Sequence, residues 1–88
     1  MLFYVYMLVA NVKNKKITYV GYTNNLKNRL KLHNTSKGAK FTKGRKWKLI
    51  YSKKYLTKSK AMQEEYKLKK DRIKRKDLLD KFLIIWNW

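Results

Sequence analysis

Two pairs of side chains near the start of the sequence have the types and spacing that chemistry on a phosphate group needs. Arg29 and His33 stand four residues apart in a predicted helix, so they share one face of it. An arginine can clamp a phosphate and stabilise charge on its oxygens, and a histidine can move a proton. Tyr6 and Tyr19 add hydroxyl groups from two predicted strands. Taken singly, each has a plainer interpretation, as a surface cation, a half-buried helix-end histidine or a core tyrosine.

Glu65 is the carboxylate best placed to bind a metal. One histidine and no cysteine exclude a histidine-rich or thiolate metal cluster. Helical spacing turns Glu65 toward the apolar face of a predicted second helix, and turns Glu64 away from it. That face is predicted to comprise Ala61, Met62, Tyr66 and Leu68. Mg²⁺ accepts a site of one carboxylate completed by waters and substrate phosphate, and an ion pair between Glu65 and Lys69 is the alternative.

A basic loop over residues 37–46 can follow a nucleic-acid backbone. Its predicted binding residues are Lys37, Lys40, Lys43, Arg45 and Lys46. Phe41 and Trp47 are interleaved with these cations and could stack a base. A solvated, charged surface loop is the simpler interpretation.

The composition predicts one small, highly basic domain over residues 1–88. The net charge is +19, from 24 Lys+Arg against five acids. A polyanion would relieve this self-repulsion, nucleic acid first and an anionic membrane surface second, although a general lysine bias is an alternative. With no cysteine, no evident signal peptide, and an apolar run at residues 2–10 too short to span a bilayer, a cytoplasmic protein is expected. No sequence pattern of a nucleotide triphosphatase or a two-metal carboxylate nuclease is present.

The element order is predicted to be β-β-α-β-α-α, a mixed α+β fold in which helices flank a three-stranded antiparallel sheet. Residues 2–10 indicate a central strand buried on both faces, residues 17–23 its hairpin partner, and residues 47–55 the third strand. A turn centred near Val12 and Lys13 would place Tyr6 opposite Tyr19.

Three amphipathic stretches predict the helices. The first follows the cap candidates at residues 23–25, carries a stripe of Leu26, Leu30 and His33, and ends near residues 35–38. The second begins after Thr57 or Ser59 and runs to about Lys70. The third has an apolar stripe made of Leu78, Phe82, Ile85 and Trp86. Trp86 and Trp88 either close the core or contact another chain.

Five positions in order resemble the GIY-YIG nuclease family. The segment Tyr4-Val5-Tyr6 matches its first motif and Tyr19-Val20-Gly21 its second. The single residues that match are Arg29, His33 and Glu65. The similarity covers about residues 3–80 and is nearest to the small stand-alone branch, akin to the UvrC N-terminal nuclease module and the catalytic subunit of structure-specific resolving nucleases.

The resemblance implies an α/β fold around a three-stranded antiparallel sheet and a catalytic role for each matched residue. One divalent metal, Mg²⁺ or Mn²⁺, would bind Glu65, and water would attack the scissile phosphate in line. Tyr6 would act as general base or orient that water, and Tyr19 would help to hold it. Arg29 would stabilise the developing charge, and His33 would assist proton transfer or contact the phosphate.

The expected function is therefore that of a metal-dependent DNA endonuclease selective for DNA structure or single strands. A catalytically inactive nucleic-acid-binding module and an accessory subunit of a DNA repair complex are the alternatives. DNA is the expected partner, whether duplex, branched or single-stranded, and a protein partner or weak homo-oligomer remains possible. No membrane association is expected.

Overall fold

The computed structural model describes residues 1–35 and 37–86, and within these ranges it has the predicted order of elements. The strands are β1 (Phe3–Val12), β2 (Lys15–Thr23) and β3 (Lys48–Tyr55). The helices are α1 (Leu26–Asn34), α2 (Lys58–Lys70) and α3 (Arg72–Trp86), and a 3₁₀ turn spans Lys40–Thr42. The mixed α+β fold with an antiparallel three-stranded sheet is confirmed.

Strand β1 forms the centre of the sheet, whose strand order is β2-β1-β3. Every residue from 5 to 10 is buried, as the unbroken apolar run predicts for a strand covered on both faces. On one face Val5 and Met7 pack with Ala61 and Leu68 of α2. On the other face Trp47 and the leucines of α1 pack around Leu8 and its neighbours. The two faces therefore have separate apolar clusters, and helices cover both.

The hairpin between β1 and β2 turns one residue later than the sequence suggests. Lys13 and Asn14 have φ values of 50° and 66°, the left-handed pair that a two-residue hairpin requires. Tyr6 therefore lies opposite Gly21, and Tyr19 lies opposite Leu8. The predicted Tyr6–Tyr19 pairing is wrong by two residues. Because side chains alternate with a period of two, both tyrosines still share one sheet face, with ring centroids 6.4 Å apart.

Helices α1 and α2 begin at side-chain caps that the sequence indicates. The Asn25 side chain accepts a hydrogen bond from the Asn28 backbone nitrogen at 3.1 Å, and Thr57 accepts one from Lys60 at 3.1 Å. Of the two predicted caps for α2, Thr57 is the one used. These caps set the start of each helix, and therefore the direction in which Arg29 and Glu65 point.

The predicted apolar face of α2 is partly wrong. Ala61 and Leu68 are buried, but Met62 is 47% and Tyr66 58% exposed. The buried stripe instead follows positions i, i+3, i+4 and i+7 from Ala61, which brings both glutamates toward the sheet. Glu64 is thus not turned away, as predicted, since its side chain is only 24% exposed.

The predicted stripe of α3 is right at its start and wrong at its end. Leu78 packs on the core and Phe82 is buried, whereas Ile85 is 77% exposed. The roles predicted for the Trp86 side chain and for Trp88 lie outside the described part of the chain. No helix within the described ranges is long and apolar enough to cross a membrane.

Candidate active site

An open pocket forms where β1, β2 and the first turns of α1 and α2 meet. Four of the five predicted catalytic residues line it: Tyr6, Tyr19, Arg29 and Glu65. The rest of the lining comes from Phe3, Gly21, Tyr22, Thr23, Asn24 and Lys58. Two tyrosine hydroxyls, a guanidinium, an ammonium and a carboxylate thus face one cavity of about 650 Å³.

Tyr6 is almost fully buried, at 1% exposed, with its hydroxyl at the inner end of the pocket. Its ring crosses Gly21 on the neighbouring strand, where an added Cβ atom would lie 2.5 Å from the Tyr6 oxygen. Only glycine leaves room for that ring. Burial raises the pKa of Tyr6 to about 12, against the opposing effect of the nearby Arg29 guanidinium.

Arg29 lies in the first turns of α1, behind the Asn25 cap, with its guanidinium in hydrogen-bonding contact with the hydroxyls of Tyr6 and Tyr19. The hydrogen bond with Tyr6 is the main cause of the raised pKa of Arg29, and burial opposes it. Arg29 is half-buried and lines the pocket. The guanidinium is therefore held in place before any anion arrives.

His33 lies behind Tyr6 and does not line the pocket. It is 0% exposed, and its Nε2 atom is 2.8 Å from the Tyr6 hydroxyl. Its Nδ1 atom is 2.8 Å from the Thr42 hydroxyl. Burial, with Arg29 as a smaller cause, lowers the pKa of His33 to about 4, so the ring is neutral at neutral pH. His33 acts on the pocket through the Tyr6 hydroxyl.

Tyr19 forms the aromatic wall of the site. Its ring lies 5.0 Å from the His33 ring and is stacked on Phe41 at 6.3 Å and 20°. Trp47 closes the group at 6.3 Å from Tyr19. These contacts join the hairpin, α1 and the basic loop into one packed unit.

Glu65 lies where a metal ligand would be needed and also forms the ion pair with Lys69, so both interpretations of this residue in the sequence fit its position. Its side chain is 17% exposed and lines the pocket, and its Oε1 atom lies 3.3 Å from Lys69 Nζ. Within residues 1–35 and 37–86 no three His, Cys, Asp or Glu side chains cluster as a metal site would require. A lone carboxylate among hydroxyls fits a hard cation that keeps its waters and takes further oxygens from a phosphate.

Among the residues of the site region that were not predicted, Lys58 and Thr42 carry the most chemistry. Lys58, the first residue of α2, contributes the ammonium group in the pocket wall. Thr42, at the end of the 3₁₀ turn, is fully buried against His33. One lysine among many cations and one threonine in a loop carry no local pattern. Only the tertiary fold brings them to the site.

The basic loop holds five cations around a buried anchor. Its four lysines are exposed, and the Arg45 guanidinium lies 4.8 Å above the ring of Phe41, which is itself 51% exposed. Trp47 is only 3% exposed, and its indole nitrogen donates to the Thr42 carbonyl oxygen at 3.0 Å. The expectation that Trp47 could stack a base is therefore wrong, because this side chain belongs to the core.

Known proteins of the same kind share most of this chain. The model of the GIY-YIG catalytic domain matches residues 2–77. The UPF0213 protein OB0043 of Oceanobacillus iheyensis is 51% identical over 67 residues, which is 75% of this chain and 74% of that protein. The UPF0213 protein YazA of Bacillus subtilis is 51% identical over 61 residues, 68% of this chain. The match spans 62% of the length of YazA, as it does for two other Bacillus relatives.

A solution NMR structure of the UPF0213 protein BH0048 from Bacillus halodurans aligns with a TM-score of 0.49 at 35% identity, covering 91% of this chain and 84% of that one.

The fold is a small α+β domain whose open pocket gathers hydroxyl, cationic and carboxylate side chains. The chain belongs to the GIY-YIG family, as its match to the domain model and its identity to UPF0213 proteins show. This is a family of nucleases, whose substrates are nucleic acids and whose members generally use a divalent metal.

Proposed function

We propose that this chain is a metal-dependent DNA endonuclease that hydrolyses phosphodiester bonds in the pocket. The observation that carries the proposal is the convergence of Tyr6, Tyr19, Arg29 and Glu65 on one open cavity, with His33 hydrogen-bonded behind Tyr6. The groups come from two strands and two helices, so their convergence results from the fold and not from closeness in the sequence. A phosphate in this cavity would meet both cations and hydroxyl groups.

Tyr6 orients the attacking water. Since burial holds its pKa at about 12, Tyr6 keeps its proton at neutral pH and is not a phenolate base in the resting protein. Its oxygen can still accept a hydrogen bond from water, with Tyr19 as the second wall of the water site. Of the two roles that the family resemblance implies for Tyr6, orientation of the water is the one that its environment favours.

Arg29 and Lys58 receive the phosphate. Arg29 is preorganised by the tyrosine hydroxyls, so little reorganisation is needed as charge grows on the phosphate oxygens. Lys58 supplies a second cation to the lining of the pocket. The water oxygen bonds to phosphorus as the bond to the leaving sugar oxygen breaks. A proton of that water passes to solvent in the open pocket, the leaving oxygen takes up a proton from solvent, and both cations counter the charge of the transition state.

Glu65 is the residue that would hold Mg²⁺ or Mn²⁺. When bound, the ion polarises a phosphate oxygen and stabilises the leaving oxygen. The Lys69 ammonium beside Glu65 is half-exposed and on a long, mobile side chain, so it can leave when a divalent cation arrives.

The basic loop supports binding of the DNA backbone. Its proposed contacts are Lys37, Lys40, Lys43, Arg45 and Lys46. The Arg45 guanidinium, which lies 4.8 Å above the Phe41 ring, adds a positioned cation beside the exposed lysines of the loop. Phe41, which is 51% exposed between Tyr19 and the Arg45 guanidinium, can contact an unpaired base, which favours single-stranded or branched DNA over uniform duplex.

The test is cleavage of labelled single-stranded, duplex and branched DNA by the wild-type protein, with Mg²⁺, with Mn²⁺ and with a chelator. We expect cleavage only with metal, strongest on substrates that contain unpaired bases. Binding is measured in parallel by fluorescence anisotropy.

Tight binding without cleavage of any substrate under any metal condition would instead support an inactive DNA-binding module. One observation favours that second candidate, the Glu65–Lys69 ion pair, which neutralises the proposed metal ligand.

A further inference from the structure

Thr42 is a fully buried threonine whose hydroxyl touches the site from behind. Its oxygen lies 2.8 Å from the carbonyl oxygen of Ala39 and 2.8 Å from His33 Nδ1. His33 Nε2 in turn lies 2.8 Å from the Tyr6 hydroxyl. A continuous chain of hydrogen bonds therefore runs from a backbone carbonyl to the hydroxyl in the pocket.

The carbonyl end fixes the direction of every hydrogen bond in this chain. A carbonyl oxygen only accepts, so the single proton of the Thr42 hydroxyl points at Ala39. Toward His33 the same hydroxyl can only accept, which requires a proton on Nδ1. A neutral imidazole has one N–H group, so Nε2 is bare and the Tyr6 O–H donates to it.

We propose that Thr42 is a positioning residue that holds His33 in the Nδ1–H tautomer and thereby turns the Tyr6 proton inward. Both lone pairs of the Tyr6 oxygen then face the pocket, one for the Arg29 guanidinium and one for the attacking water. The role of that water depends on the proposed nuclease function. The tautomer and the direction of the Tyr6 proton do not depend on it.

Thr42 is held in turn by the core around Trp47. The Trp47 indole N–H donates to the Thr42 carbonyl at 3.0 Å. The Asn34 side chain brackets the Trp47 backbone, accepting from its nitrogen at 2.6 Å and donating to its oxygen at 3.1 Å. Gly38 packs so closely on His33 that an added Cβ would lie 2.5 Å from Nδ1. The imidazole therefore has little freedom to rotate or flip.

The opposite polarity has a clear structural cost. With the proton on Nε2, Tyr6 would have to accept from His33, and Nδ1 would need a donor. The Thr42 hydroxyl could supply that donor only by giving up its hydrogen bond to the Ala39 carbonyl, which would then keep only the Thr42 backbone N–H as a donor. The Tyr6 proton would then point into the pocket and compete with the water for the phosphate. The Thr42 hydroxyl thus favours one of two arrangements of the same side chains, which differ only in where the protons lie.

The test is the tautomer of His33, read by NMR from ¹⁵N-labelled histidine. The chain contains one histidine, so a single imidazole gives all the signals. In the wild type we expect a proton on Nδ1 and an unprotonated Nε2. Thr42→Ser keeps the hydroxyl and should keep that pattern. Thr42→Val keeps the shape without the hydroxyl, and should move the proton to Nε2, where Tyr6 can accept it.

An Nε2–H tautomer in the wild type would overturn the proposal, as would an unchanged Nδ1–H tautomer in Thr42→Val. Because the wild-type spectrum alone can overturn it, the test does not require that Thr42→Val folds. Thr18→Val, on the β2 strand and outside the chain of hydrogen bonds, is the control and should keep the wild-type spectrum.

Cleavage supplies a second readout. Thr42→Val should cleave about tenfold more slowly, the equivalent of one hydrogen bond, at unchanged DNA affinity, with Thr42→Ser near the wild-type rate. A shifted tautomer with unchanged cleavage by an active wild type would overturn the link to catalysis. If the wild type itself cleaves nothing, the nuclease proposal fails and the spectra still decide the tautomer.

Discussion

The Tyr6 hydroxyl links the buried and the open halves of the site. It contacts Arg29 on the pocket side and His33 on the core side. Its ring is held against Gly21, where no Cβ fits. Small changes around this one oxygen should therefore alter chemistry more than they alter DNA binding.

Gly21→Ala should displace the Tyr6 ring. The new methyl group would lie 2.5 Å from the Tyr6 oxygen and 2.7 Å from Cζ, so the ring must move. We expect a loss of about 1–3 kcal/mol in the free energy of unfolding, measured in urea, and a large loss of cleavage at unchanged DNA affinity. Asn11→Ala, at an exposed strand position, is the control. Wild-type stability and cleavage in Gly21→Ala would contradict this account of Tyr6.

The ¹H–¹⁵N spectrum of His33 should titrate with a midpoint of about 4 instead of the ordinary 6.5. Burial lowers this pKa, so between the two values the unfolded chain binds the proton more readily than the folded chain. The contribution of neutral His33 to stability is thus complete above pH 6.5 and is lost as pH falls toward 4. Urea unfolding at several pH values checks this, and His33→Gln should flatten the pH dependence. A midpoint near 6.5 would show that the ring is not buried in solution.

Residue types and spacing were enough to select the groups that line the pocket, but not their partners. Tyr6, Arg29 and Glu65 stand at positions that a family pattern marks. Lys58 and Thr42 stand in segments that resemble the small branch of the family, but no role in the site was predicted for them, because their proximity to it depends on how α2 and the basic loop fold back onto the sheet. The buried location of His33 was missed for the same reason, since its cover comes from the loop.

At the scale of elements, the basic loop both presents cations to solvent and supplies Thr42, which packs against His33 behind the pocket. Asn34 at the end of α1 holds Trp47 through both backbone atoms, and Trp47 holds Thr42. The cations of the loop are therefore displayed from a fixed base. The same anchored loop therefore carries the cations proposed to bind DNA and the threonine proposed to position His33.

Asn34→Ala should loosen this anchor. Two hydrogen bonds to the Trp47 backbone are lost, at a cost of about 1–3 kcal/mol in unfolding free energy. The indole N–H of Trp47 should then exchange with solvent faster, as hydrogen exchange by NMR would detect. Asn28→Ala, an exposed change in α1, provides the comparison. Equal exchange rates in the two variants would show that Asn34 does not secure the loop.

The element order and both helix caps follow from local patterns, whereas several finer predictions failed, the hairpin register and the apolar stripe of α2 among them. The hairpin register shifted by two residues because Lys13 and Asn14 adopt the left-handed turn, one position later than the midpoint of the polar stretch suggested. The apolar stripe of α2 differs from the prediction because burial depends on which side of the helix packs on the sheet: Ala61 and Leu68 pack there, while Met62 and Tyr66 are exposed.

At the scale of the whole molecule, the net charge of +19 should make DNA binding strongly dependent on salt. Each duplex phosphate contact adds about 0.9 to the slope of log affinity against log salt concentration. The phosphate contacts proposed for the basic loop should therefore contribute to this slope, and removing loop lysines should reduce it by a measurable amount.

Replacing Lys40 and Lys43 by alanine should lower that slope by about 1.8 if each contacts one phosphate. Lys13→Ala with Lys15→Ala removes the same charge from the hairpin turn, at the end of the strands away from the pocket, and should lower it less. Anisotropy titrations at several salt concentrations give both slopes. Equal reductions would mean that binding reflects only the overall charge, and that the loop is no special surface.

The central claim is that Glu65 holds the metal that drives cleavage, and two adjacent glutamates allow a direct test of it. Glu65 lines the pocket with Tyr6, Tyr19 and Arg29, while Glu64 lines a different cavity beside Tyr55 and Lys67. The measurement is the single-turnover cleavage rate of branched DNA in Mg²⁺ for Glu65→Ala and Glu64→Ala. We predict that Glu65→Ala loses about 100-fold or more while still binding DNA, and that Glu64→Ala stays near the wild-type rate. Cleavage at the wild-type rate by Glu65→Ala would contradict the account.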